Sequence, residues 1–133
     1  MKWFRKIGLL FVFLPIILLV IFVAYELLGL CANRIATKYQ TDRLQSHLEN
    51  EIWDIQIVSV YSETGNTSGT GNHVDCLSLI TFSTDMQELE VANKMSKHYE
   101  LDGWSCYINQ IEDGQYLFYL NTSAPFVNNI EGH

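Results

Sequence analysis

Residues 7–24 read IGLLFVFLPIILLVIFVA, and no side chain among them is charged or polar. Fifteen of those 18 residues are Leu, Ile, Val or Phe. A helix of that length rises about 27 Å, close to the hydrocarbon thickness of a bilayer. At about −0.3 to −0.6 kcal/mol each, the strongly apolar residues supply an insertion drive on the order of −5 to −9 kcal/mol. A buried helix in a soluble protein would carry polar interruptions, and this run has none. The stretch therefore predicts a transmembrane helix over residues 7–30, with Pro15 tolerated mid-span and Tyr25 and Glu26 at interface depth.

Basic residues flank the span on both sides. Lys2, Arg5 and Lys6 lie in the short tail 1–6, while Arg34, Lys38 and Arg43 follow the span. The first group is the closer one, and a long acidic segment translocates largely regardless of its charge. The expected orientation is a cytoplasmic N-terminus with the remainder outside the cytoplasm, at the cell membrane. The apolar core is too long for a cleaved signal peptide, and the residue before Cys31 is Leu30 rather than a small one. An uncleaved, single-pass signal anchor fits better, with Cys31 as an apolar residue at the membrane edge.

What remains for a folded domain is about 100 of the 133 residues. That excludes a multidomain enzyme, a repeat array and a multi-span transporter. The chain has 8 basic and 15 acidic residues, and beyond Arg43 only Lys94 and Lys97 stand against 13 acids, a net of −11. Such a surface repels phosphate backbones, so nucleic acid is not an expected partner.

Past the span, residues 31–50 lack Pro and Gly, and Ile35, Tyr39, Leu44 and Leu48 recur at near-helical spacing. They predict a juxtamembrane helix continuing the anchor. Residues 51–61 change period: Trp53, Ile55 and Ile57 alternate with Asp54 and Gln56, as in a half-buried strand. Residues 62–72 hold three glycines and no large apolar side chain, and read as an exposed loop. A second strand follows over 74–82.

Thr84 and Gln87 match a capping box ahead of Met86, Leu89, Ala92, Met95 and Tyr99, with Gly103 as the expected stop. Residues 104–111 and 116–120 form a hairpin around Asp113-Gly114, a type I′ turn signal. Residues 124–133 show no period. The exported domain is thus placed at 51–123.

The order helix-strand-strand-helix-strand-strand predicts an α+β fold: a two-layer domain with a four-stranded antiparallel sheet and two helices on one face. It equals a βαββαβ plait of ferredoxin-like type, permuted so that the first strand comes last. Cys76 and Cys106 fall in the second and third strands. A disulfide closing a loop of about 30 residues would contribute about 3–4 kcal/mol. In the permuted plait those strands flank the fourth and lie about 9–10 Å apart, beyond disulfide reach. As direct neighbours they would be within it, and both arrangements stay open at this level.

His73-Val74-Asp75-Cys76 is the densest set of ligating side chains, with His73 and Asp75 on one face of a strand. A metal site needs three or four ligands, and a catalytic thiol needs a nearby cation, which this region lacks. No catalytic residue, metal or cofactor is therefore expected, and a membrane-tethered enzyme or metal-binding protein using His73, Asp75 and Cys76 is the rival reading. Residues 65–71 lack the lysine of a P-loop. Asn66-Thr67-Ser68 and Asn121-Thr122-Ser123 are glycosylation sequons, meaningful in a eukaryotic lumen. The binding surfaces expected are the loop, with Asn66, Thr67, Ser68, Thr70, Asn72 and adjoining His73, and the uncovered sheet face, with Tyr107 and either Tyr116 or Tyr119. Trp53 and Trp104 are expected on the core side. The function expected is protein binding by a membrane-anchored accessory, inhibitory or sensory subunit.

Overall fold

A computed structural model describes residues 2–69 and 71–133, with side chains from residue 11 onward. The side chains of Lys2, Arg5 and Lys6, and Thr70 as a whole, lie outside the described residues. The apolar stretch and the segment after it form one helix, α1, Lys2–Glu51, with Pro15 inside it. Fifty residues rise about 75 Å. Apolar side chains over residues 11–23 are all exposed, and among the described residues this is one helix long and apolar enough to cross a membrane.

From Glu26 onward one face of α1 becomes covered. Gly29, Asn33, Thr37, Thr41, Leu44 and Leu48 are buried, at spacings of three and four that keep them on a single side. Ile35 and Tyr39, expected on that face, point away and are 70% and 66% exposed. The stripe changes character along its length. Leu44 and Leu48, continued by Ile52, enter the apolar core, whereas the upper half uses polar side chains that find partners. Thr41 shares a hydrogen bond with Ser78 at 2.7 Å, Thr37 one with Thr64 at 2.7 Å, and the Gln40 amide donates to the Cys76 carbonyl at 2.8 Å.

The sheet comprises β1 (Gln56–Gly65), β2 (Asp75–Ser83), β3 (Cys106–Glu112) and β4 (Gln115–Ser123), ordered β1-β2-β4-β3 and antiparallel throughout. The short helix α2, Glu88–Met95, follows β2. Val91 and Met95 of α2 join Leu44, Leu48 and Ile52 over Ile80, Phe82, Ile108 and Phe118, so both helices cover the same sheet face.

Several local expectations are corrected. β1 begins five residues later than predicted and runs into the glycine-containing segment. Trp53 and Trp104 sit in the connections before β1 and β3, 78% and 83% exposed, and neither enters the core. The capping box does not form. The Asp54 carboxylate takes the Thr84 hydroxyl at 2.5 Å and the Asp85 amide at 2.6 Å, leaving the Thr84 oxygen to accept from the Met86 amide. The helix is thereby delayed to Glu88, where Gln87 offers no side-chain cap, and it ends well before Gly103. At the β3–β4 turn only Gly114 has positive φ, +70°, so the turn is not type I′. A register shift between Gln110 and Glu112 takes up the difference.

The final ten residues are ordered against α1. The Val74 amide donates to Val127, the Ala124 amide donates to Val74, and a 3-10 turn forms at Ile130–Gly132. Asn33 clamps this tail with both ends of its amide, donating to the Phe126 carbonyl at 3.0 Å and accepting from the Phe126 amide at 2.9 Å.

Candidate functional site

Strand register decides which aromatics reach the open face. β3 and β4 pair Tyr107 with Tyr119 and Ile108 with Phe118. Ile108 and Phe118 face the helices, so Tyr107 and Tyr119 face the other way. Their rings stack with centroids 4.6 Å apart and planes 7° from parallel. Burial pushes the Tyr119 hydroxyl above its usual range, with Tyr107 and Asp75 adding to the shift and a hydrogen bond with Asn121 opposing it. Tyr116, the other candidate, is buried on the helix face, and its hydroxyl donates to the Met86 carbonyl at 2.8 Å. It therefore does not lie on the open face.

Thr67, Ser68 and His73, from the loop after β1, lie beside this face. The Asn66 amide nitrogen donates to the Gly71 carbonyl at 2.6 Å and its oxygen accepts from the Gly69 amide at 3.1 Å. Gly69 and Gly71 take φ of +68° and +69°, a conformation glycine adopts without steric cost. The Thr67 hydroxyl donates to the Asn121 side-chain oxygen Oδ1 at 2.9 Å, which ties the two sequons together, so that both asparagine side chains are engaged. Asn72 is exposed on the same loop.

Asp75, 3% exposed, organises the loop's base. One of its oxygens lies 2.5 Å from His73 Nε2 and the other accepts the Ser68 amide at 3.0 Å. These side chains, with Trp104, Tyr107, Tyr119 and Asn121, border a cleft of about 540 Å³. The loop and the tyrosine face, read from the sequence as separate surfaces, thus meet in one place. Trp104 was missed as a surface residue. The preceding Asp102-Gly103 dipeptide was the available signal, since Gly103 turns with φ +75° and the Asp102 carboxylate collects the Trp104, Ser105 and Cys106 amides. Those bonds, with one from the Ser105 hydroxyl as the largest influence, hold the Asp102 carboxyl far below its ordinary value.

Cys76 does not join His73 and Asp75. As the next residue on a strand it points to the opposite face, its sulfur 4.0 Å from the Asn33 carbonyl, and burial pushes its thiol up. Cys106, on the helix face of β3, is pushed up to about 11 by the same cause. Both are free thiols, so the disulfide does not form: Cys76 pairs with Thr122 and Cys106 with Leu120, on opposite sides of β4. Among the described residues no three His, Cys, Asp or Glu side chains are placed to hold a metal ion. A second hollow, of about 800 Å³, opens at the far end of the sheet around Met86, Leu89 and Asp113.

Compared with known proteins, the chain matches no family model, no curated protein and no solved structure.

Proposed function

We propose that this chain is a single-pass membrane protein, N-terminus cytoplasmic, whose acidic extracytoplasmic domain binds a protein partner as an accessory, inhibitory or sensory subunit. The observation that carries the reading is the division of labour along α1. Its first part exposes apolar side chains on every side, and its second part is built into the core of the domain. A helix that is apolar all round suits lipid, and one buried on a single face suits water. The domain is then fixed to its anchor without a flexible linker, which gives its surfaces a set height and direction above the bilayer.

The strand order β1-β2-β4-β3, antiparallel throughout, supports assigning the domain to the permuted ferredoxin-like plait. That architecture leaves one sheet face free of helices. The stacked tyrosines and the Asn66–His73 loop converge there, and aromatic residues on an open sheet are favoured protein-contact groups. Membrane lipid and a protein partner are the proposed contacts, and nucleic acid is not one.

The test is a photocrosslinking residue substituted for Asn72, exposed on the loop, in intact cells. Adducts to a discrete protein support the reading; recovery of uncrosslinked chain alone, with correct membrane placement, opposes it. The His73–Asp75 pair favours a second reading, a membrane-tethered enzyme. Alanine at both positions would abolish an enzyme's phenotype and leave most of a binder's.

A further inference from the structure

The cleft beside Tyr107 and Tyr119 has a composition that selects among ligands. Three aromatic side chains border it: the stacked tyrosines and the indole of Trp104, which is 83% exposed. Aromatic faces carry negative quadrupole charge and attract cations. The buried Asp75 carboxylate lies at the base, with both oxygens already held by His73 and the Ser68 amide. It contributes to the field of the cleft from a fixed place, without being free to swing toward a ligand. No Lys or Arg borders the cleft among the described residues. Beyond Arg43 the chain carries 13 acids against two bases, so the wider field has the same sign.

An anionic group would meet the field of the acidic domain and, among the described residues, no Lys or Arg at the cleft, where the histidine present, His73, is already engaged by Asp75. An uncharged apolar group would gain the aromatic contact but make no use of the second lone pair of the Asn121 amide oxygen, whose first takes the Thr67 hydroxyl. A planar cation satisfies both features. Guanidinium is less strongly hydrated than ammonium, stacks on aromatic rings, and offers five donors to carbonyl and hydroxyl oxygens.

Resting on the reading of the open face as the binding surface, we propose that this cleft receives an arginine side chain from the protein partner. Trp104 and Tyr107 provide its stacking surface, Asn121 and the adjacent hydroxyls accept its hydrogen bonds, and the acidic domain draws it in.

The test uses the full chain in lipid nanodiscs and a fluorescein-labelled peptide with one central arginine, followed by anisotropy. Its twin carries citrulline, of the same shape without the charge. The arginine peptide binds saturably, and the citrulline peptide about ten-fold more weakly. Trp104→Ala, at a position 83% exposed, weakens the arginine peptide about five-fold, and Tyr107→Leu does the same, each with its thermal transition as a folding control. Equal binding of the two peptides, or no effect of Trp104→Ala, overturns the proposal. So does binding that disappears only in phosphatidylcholine nanodiscs and persists in phosphatidylglycerol, because the cleft would then hold a choline headgroup. Protein adducts at Asn72 in cells without arginine discrimination in vitro overturn this inference alone; absence of adducts overturns the parent reading.

Discussion

Asn129, near the C-terminus, donates its amide nitrogen both to the Glu26 backbone carbonyl at 2.9 Å and to the Glu26 carboxylate at 2.8 Å. The same carboxylate oxygen accepts the Ile130 amide at 2.9 Å and so caps the final 3-10 turn. One turn along the helix Gly29 is buried, and one residue earlier Tyr25 meets Phe126 edge-on with centroids 5.6 Å apart. The acid at the end of the apolar stretch is thus the attachment point of the tail, and the two chain ends of the domain are locked together where the apolar part of α1 ends.

Gly29→Leu tests that lock. A Cβ at position 29 would stand 2.6 Å from the Asn129 amide nitrogen and 3.2 Å from the Phe126 ring. Overpacking of this kind costs about 1–3 kcal/mol, so the thermal midpoint falls and limited proteolysis releases the last ten residues first. Gly132→Ala does the same from the other side, since its Cβ would stand 2.8 Å from the His73 carbonyl carbon. Unchanged protease resistance in both variants would count against the docked tail.

The two neighbouring tyrosines of β4 separate stability from surface. Tyr116→Phe removes the buried bond to the Met86 carbonyl and costs about 1–3 kcal/mol in denaturant unfolding. Tyr119→Phe keeps the stacked ring and changes stability by less than about 0.5 kcal/mol. The reverse order would mean that the faces of the strand have been exchanged.

Thiol labelling follows burial. In detergent micelles at neutral pH, iodoacetamide modifies exposed Cys31 first. Cys76 and Cys106, buried and with thiols held in the protonated form, react only when the domain is unfolded. The unreduced intact mass corresponds to three thiols. A two-dalton deficit would reveal a disulfide and require Cys76 and Cys106 to approach across β4.

The α1–α2 joint carries a pH response. His47 and His98 stack with centroids 4.1 Å apart, His98 Nε2 lies 2.9 Å from the Glu51 carboxylate, and His47 Nδ1 lies 3.0 Å from the Tyr99 hydroxyl. Desolvation holds the His47 imidazole below its usual 6.5, aided by His98 and Arg43 and opposed by Glu51. The unfolded chain therefore binds a proton near 6.5 that the folded one resists. This contribution is full above that pH and is lost as pH falls below it. His47→Gln flattens the decline in thermal midpoint between about pH 7 and pH 5. Asp54 and Asp102, both held below the ordinary carboxylate range, act in a separate and more acidic window, where stability is again lost as pH falls. A midpoint that rises from pH 7 to pH 5 would contradict the His47 assignment.

Element types and order were legible because the long apolar run, the alternation around Ile55–Ile57 and the Asp113-Gly114 turn are local signals. The buried face of α1 was not, because Asn33, Thr37 and Thr41 enter the interior through hydrogen bonds to partners 27 to 93 residues away rather than through hydrophobicity. Thr84 misled for a related reason: Asp54, 30 residues earlier, captures the hydroxyl that would have capped a helix. Alternation placed Trp53 and Trp104 inward, but each lies in the connection ahead of its strand, where period two does not yet apply. At the cleft, loop and tyrosines were both found by composition, and only the register of β4 showed that they adjoin and that Tyr116 does not belong.

The central claim is that the apolar stretch crosses the membrane and delivers the domain to the outside. Proteinase K added to intact, sealed cells tests it most directly, with an antibody to the cytoplasmic tail as the readout. The account predicts loss of the full-length band and survival of a small membrane-bound fragment ending near the start of the domain. A full-length band that survives until the cells are lysed, or full-length chain recovered in the detergent-free soluble fraction, would contradict it.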